Sequence, residues 1–137
     1  MTAIAFINGA YFRNIEHYVY AGEIFYNNFK HIVRGSGNDN LLSTMWSIGA
    51  KLKATEETIK KAISLGITDL TIVNSLNAIK DFTDGIIKPK QEGTINFMKY
   101  FNSVKDKIKV TIRRPENDAE TKKLKQVLET ARDSLGL

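Results

Sequence analysis

The chain has 137 residues, 42% of them hydrophobic and 26% charged, which is the size and composition of one globular domain over 1–137 rather than of a disordered or membrane segment. Twenty Lys and Arg against fifteen Asp and Glu leave a formal charge of +5, a modest bias toward polyanionic partners. With no cysteine there is no disulfide, thiolate metal site or cysteine nucleophile, and no apolar run is long enough to cross a bilayer or to serve as a secretory leader, so a cytoplasmic chain without a membrane contact is expected.

Residues 3–8 are a short apolar, β-favouring run, and 17–26 and 29–34 carry the aromatic and β-branched residues of two further strands. Gly22 permits a bulge or a close backbone approach, and Asn27-Asn28 supplies a turn, so an antiparallel meander is expected. Gly35-Ser36-Gly37-Asn38-Asp39-Asn40 reads as a loop rich in turn and capping residues. Leu41, Leu42, Met45, Ile48, Leu52, Ile59, Ala62 and Ile63 then recur near helical spacing, predicting a helix over 40–65 that stops at Gly66.

A strand at 69–73 leads into a short helix from about Ser75 to Phe82, which makes a strand–helix–strand crossover with the preceding helix. Residues 91–105 suit another helix, 108–113 a last strand and 118–134 a terminal helix, with no repeat or linker dividing the order. Basic residues gather in this second half, from Lys88 and Lys90 to Arg113, Arg114 and Lys125, although a solvated surface explains scattered lysines equally well.

Several strings stand out in this order: Ala3-Ile4-Ala5-Phe6-Ile7-Asn8-Gly9-Ala10-Tyr11, Gly35-Ser36-Gly37-Asn38-Asp39, Ser47-Ile48-Gly49-Ala50 and Gln91-Glu92-Gly93-Thr94. Together they resemble the ribonuclease H family, in particular its small bacterial members, over nearly the whole chain. The resemblance implies an α/β fold in which a three-stranded antiparallel meander plus parallel strands form a mixed five-stranded sheet flanked by helices. It also implies an ancestral activity, cleavage of the RNA strand of an RNA–DNA hybrid by carboxylates that hold two divalent metal ions.

This chain departs from that pattern at the positions that carry the chemistry. The first aspartate position is Asn8, and the helical glutamate position is Lys51. The third carboxylate position is Ser75, or Asn74 one residue earlier, and the last is Gln126, with Glu116 near the family's mobile histidine. An amide brings no formal charge to a cation, and an ammonium at ~4 Å repels one. The expectation is therefore a catalytically inactive member with no metal and no cofactor, in which Lys51 stands in for metal charge and donates hydrogen bonds toward Asn8 and the end of the next strand, or else turns outward. Glu116, Asp118 and Glu120 offer a shifted metal site or, more ordinarily, helix caps.

Nucleic acid is the leading partner, with Gly9 and Ser47 keeping part of the family's backbone grip and Lys88, Lys90, Arg113 and Arg114 facing phosphates. Arg113 suits a phosphate fork or a strand-end salt bridge. The alternative is a protein-interaction or inhibitory module on the former active-site face, with Trp46 as its anchor. A further alternative is a nucleotide-sized anion held by Lys51. Tyr18, Tyr20, Phe25 and Tyr26 are expected to stabilise the meander, and His17 and His31 form no catalytic pair.

Overall fold

Strands β1 (Thr2–Phe12), β2 (His17–Tyr26) and β3 (Phe29–Gly37) form the expected antiparallel meander in a computed structural model of the chain, which describes residues 2–39 and 45–136. Asn27 and Asn28 both take positive φ (57° and 67°), the conformation of a two-residue hairpin turn whose twist matches the strands, and asparagine tolerates it better than most residues. After the meander come α1 (Ser47–Ser64), β4 (Asp69–Val73), α2 (Asn77–Thr83), α3 (Glu92–Ser103), β5 (Lys109–Arg113) and α4 (Asp118–Asp133). The sheet order is β3-β2-β1-β4-β5, with β1, β4 and β5 mutually parallel.

Several predicted boundaries move: β1 runs on past residue 8 to Phe12, and two further shifts have a visible cause. The glycines of the expected loop, Gly35 and Gly37, belong to β3, where they pair with Tyr20 and Tyr18. A Cβ on Gly35 would sit 2.4 Å from the Tyr20 hydroxyl oxygen, and one on Gly37 2.4 Å from that of Tyr18. Each ring lies over a bare glycine and so restores the side-chain cover that the strand lacks. The Tyr18 hydroxyl donates to the Asp39 carboxylate, and burial together with Asp39 pushes the Tyr18 phenol well above its usual range.

The second boundary is the start of the long helix. Its described part begins at Ser47, not at 40, and Asn40, Leu41 and Leu42 lie outside the described residues. The helix stops where expected. Gly66 takes φ 78°, its N–H donates to Ile63 O at 3.0 Å and that of Ile67 to Ala62 O at 3.0 Å, the paired bonds of a Schellman ending.

Strand alternation sorts the core into two faces. Ala5, Ile7 and Ile24 point to the side covered by α1, α2 and α3, through Leu52, Ile59, Ile79, Phe97 and Phe101. Phe6, Val19 and Ala21 point to the other side, against Leu124, Val127 and Ala131 of α4. α1 lies unusually close to the sheet because the strands present glycines to it. A Cβ on Gly22 would fall 2.0 Å from Thr58 Oγ1, and one on Gly9 2.8 Å from Ala50 Cβ. Of the two readings of Gly22, close approach holds, since the β1–β2 register runs unbroken past it.

Candidate functional site

β1 pairs with β4 only from Thr2 to Phe6, opposite Asp69 to Val73, while its second half stays bonded to β2 alone. The chain leaves β1 toward β2 and leaves β4 toward β5, so the carboxyl ends of these adjacent parallel strands diverge. A crevice at such a reversal of connection is where open α/β sheets place their ligands. Asn8 stands two residues past the last β1–β4 pair, and Asn74 directly follows β4.

Asn8 points from β1 toward α4. Its Nδ2 donates to the Leu124 carbonyl at 2.9 Å, and its Oδ1 accepts from the Gly9 N–H at 2.8 Å. The first of these bonds requires an N–H, which an ionised carboxylate cannot provide. Asn74 is 1% exposed, and its Oδ1 accepts from the Leu76 N–H at 2.8 Å while its own N–H donates to Arg113 O at 3.1 Å. It therefore ties the exit of β4 to both α2 and β5. Ser75, the other reading of this position, is exposed, and helix α2 begins at Asn77 instead of Ser75.

Ala50, packed on Gly9, brings α1 across β1 beside this crevice. The neighbouring Lys51 is half-buried, and burial lowers its pKa. Its expected hydrogen bond to Asn8 does not form: Asn8 spends its amide on the opposite face of β1, and the Lys51 ammonium makes no hydrogen bond or ion pair with any described residue. Gln126 is not brought to Asn8 either. It is exposed and lies two residues beyond Leu124, roughly 200° round the helix from the carbonyl that Asn8 contacts.

The charged candidates near the end of β5 are engaged with one another. Arg113 donates from both terminal nitrogens to Glu120, at 2.8 and 2.9 Å, and also lies 3.1 Å from Glu116. Of its two readings the structure takes the strand-end salt bridge, so its guanidinium fork is already occupied. The Arg113 guanidinium and the Glu116 N–H hold the Glu120 carboxyl down at about 2. Asn117 caps α4 by accepting from the Glu120 N–H at 2.9 Å. Glu116 and Glu120 thus serve the β5–α4 turn, Asp118 opens α4, and among the described residues no three acidic, His or Cys side chains cluster as metal ligands.

Arg114, Lys88 and Lys90 are exposed, as is Ser47, the first residue of α1. Gly9 has its own structural reason in the Ala50 contact. Two participants escape sequence reasoning. Arg13, in the β1–β2 turn, lies over the Trp46 ring, and the Leu124 carbonyl is the partner that explains Asn8; neither carries a local sequence signal. The positions at which the resemblance expects metal ligands do not fit a two-metal centre, because they offer an amide bonded to protein, an ammonium and a hydroxyl in place of carboxylates.

No family model matches the sequence, and no curated protein does. Solved structures match closely in shape. The N-terminal RNase H domain of Rv2228c from Mycobacterium tuberculosis, solved as a fusion with maltose-binding protein, aligns with TM-score 0.78 at 10% identity over 97% of this chain and 94% of that chain. RNase H1 of the halophilic archaeon Halobacterium salinarum aligns with TM-score 0.74 at 11% identity over 98% of both chains. LC11-RNase H1 in complex with an RNA/DNA hybrid aligns with TM-score 0.76 at 11% identity, covering 97% of this chain and 98% of that one. These alignments run over almost the full length of the chain, which has the ribonuclease H-like fold.

Proposed function

We propose that this chain is a single-domain, catalytically inactive ribonuclease H-like protein that binds nucleic acid without cutting it. The observation that carries the reading is the Asn8 side chain, which donates to the Leu124 carbonyl at 2.9 Å where the resemblance places a metal-binding aspartate. Lys51 adds a positive charge where that resemblance expects a glutamate, which opposes a divalent cation and favours a phosphate. The excess of basic residues, and the exposure of Ser47, Lys88, Lys90 and Arg114, supports a polyanionic partner. One structure of the same shape is complexed with an RNA/DNA hybrid, which makes a hybrid or other duplex the first ligand to try. The absence of cysteine fits work in the reducing cytoplasm.

The test is fluorescence anisotropy with labelled RNA–DNA hybrid, double-stranded RNA, double-stranded DNA and single strands across a salt series, with Mg²⁺ and Mn²⁺ cleavage assays on the same samples. Saturable binding that weakens with salt, without cleavage, is the expected outcome; cleavage sinks the inactive reading. A protein partner is the second reading, favoured by the exposed Trp46, Ile86 and Ile87, and no binding to any of the four ligands moves the weight to it.

A further inference from the structure

Trp46 is the only tryptophan in the chain, and the fold accounts for nothing about it. It immediately precedes α1 with φ 56° and ψ −130°, a conformation that glycine adopts freely and a side chain resists. Its side chain provides no cap for the helix, and the residue is 52% exposed, so neither capping nor core packing explains a large ring there. One feature does fix the ring. The Arg13 guanidinium lies 4.8 Å from its centroid in a cation–π contact.

The surroundings are basic. Met45 and Ile48, on either side of Trp46 in sequence, line a groove of about 270 Å³ together with Phe82, Ile87, Lys88 and Lys90. The segment 86–91 that forms its rim contains no acidic residue; of the acids that flank it, Asp84 is ion-paired with Lys80 and Glu92 is exposed at the start of α3. An exposed aromatic ring held by a guanidinium, whose sequence neighbours Met45 and Ile48 share a groove with two lysines that have no carboxylate partner among the described residues, is a combination that suits single-stranded nucleic acid. Bases stack on the ring, and the backbone phosphates meet the cations.

We propose that Trp46 is a stacking platform for an unpaired nucleobase, with Arg13 orienting its ring and Lys88 and Lys90 receiving the adjoining phosphates. The inference rests on the nucleic-acid reading above and narrows it. Within a continuous duplex both faces of each base are covered by its neighbours, so Trp46 reaches only a single strand, an overhang or a displaced base.

The experiment follows the emission of Trp46, the chain's sole indole, during titration with single-stranded DNA and RNA of ~12 nucleotides, within the usual site size, and with blunt duplexes of the same sequence. Single strands should quench the emission saturably and blunt duplexes should not. Trp46→Gly, which suits the local φ and so leaves folding intact by circular dichroism, should weaken single-strand affinity by about tenfold, measured by anisotropy at fixed salt. Trp46→Phe should retain most of it.

Nucleic-acid binding with no quenching, equal quenching by blunt duplex, or unchanged affinity in Trp46→Gly overturns the stacking site while leaving the binding reading intact. Absence of binding to every oligonucleotide removes both. Self-association that disappears in Trp46→Gly, without a response to single strands, assigns the surface to protein contact and likewise overturns the proposal.

Discussion

Asn8→Asp restores the residue that the resemblance expects, and the structure predicts that it destabilises the fold instead of creating a metal site. Asn8 makes two bonds, one accepted from the Gly9 N–H at 2.8 Å and one donated to the Leu124 carbonyl at 2.9 Å. An ionised aspartate keeps the first and turns the second into an oxygen facing an oxygen. The lost bond is worth about 1 kcal/mol and an acceptor left facing a carbonyl costs roughly 1–3 kcal/mol more, so the variant should be about 2–4 kcal/mol less stable at pH 7.

A protonated aspartic acid, in contrast, can donate to Leu124, so folding raises the pKa of the introduced carboxyl above its ordinary value of about 3.9. Between that value and the raised one the folded state holds more protons than the unfolded state. Stability therefore falls as pH rises through the window, by about 1.4 kcal/mol per unit at most, and is level above it. Urea denaturation of wild type and variant at several pH values tests this directly. The two should nearly coincide below about pH 4 and separate toward pH 7, with Mg²⁺ making no difference. Equal stability at pH 7, a penalty that grows on acidification, or stabilisation by Mg²⁺ would each refute the assignment of Asn8 as a bond between β1 and α4.

Two further substitutions probe the frame around the crevice. Gly22→Ala puts a Cβ 2.0 Å from Thr58 Oγ1 and should lower stability by about 3 kcal/mol; Thr58 Oγ1 is buried without a hydrogen-bond partner among the described residues, so adding Thr58→Ala should recover at least about 1 kcal/mol in a denaturation double-mutant cycle. Glu120→Gln should lower stability by about 1 kcal/mol at pH 7, a value limited by solvent screening of its bridge to Arg113. Because the Glu120 pKa is depressed to about 2, its contribution is present above the ordinary glutamate value of about 4.3 and is lost as pH falls through about 2, so thermal melts of variant and wild type should converge in strong acid.

The elements were legible wherever the signal was local. Asn27-Asn28 marks its hairpin and Gly66 its helix end because each residue type suits the backbone conformation at its own position. Gly35 and Gly37 misled because what makes them strand residues is the ring of a tyrosine on the neighbouring strand, a relation that no window along the chain contains. The identity of Asn8 was readable and its role was not, since the carbonyl that explains it is 116 residues away. Gln126 misled even though the expected helix over 118–134 matches α4, Asp118–Asp133. The cap that Asn117 makes for the Glu120 N–H agrees with that start, but the group that meets Asn8 is the backbone carbonyl of Leu124, for which no residue type gives a signal. For Arg113, sequence left the choice between phosphate and carboxylate open, and the return of α4 across the end of β5 settles it for Glu120.

Lys51 allows the sharpest separation of stability from function. Burial lowers its pKa, and no described carboxylate pairs with it, so the charged form opposes folding. The sign follows from proton counts. In the window between the lowered pKa and the ordinary value of about 10.4 the folded state holds fewer protons than the unfolded state, so the penalty is fully present at pH 7 and is relieved as pH rises through that window. Lys51→Met keeps the aliphatic stem and removes the charge, and should be more stable than wild type at pH 7, an advantage that shrinks above about pH 10. If the charge is retained for a phosphate, the same variant should bind nucleic acid less tightly, and the slope of log affinity against log salt should fall in magnitude by about 1. A lysine that merely extends into solvent predicts neither effect. A variant that is more stable with an unchanged salt slope would show that the charge at this crevice serves no polyanion, and a variant that is less stable would show that Lys51 has a partner in the fold.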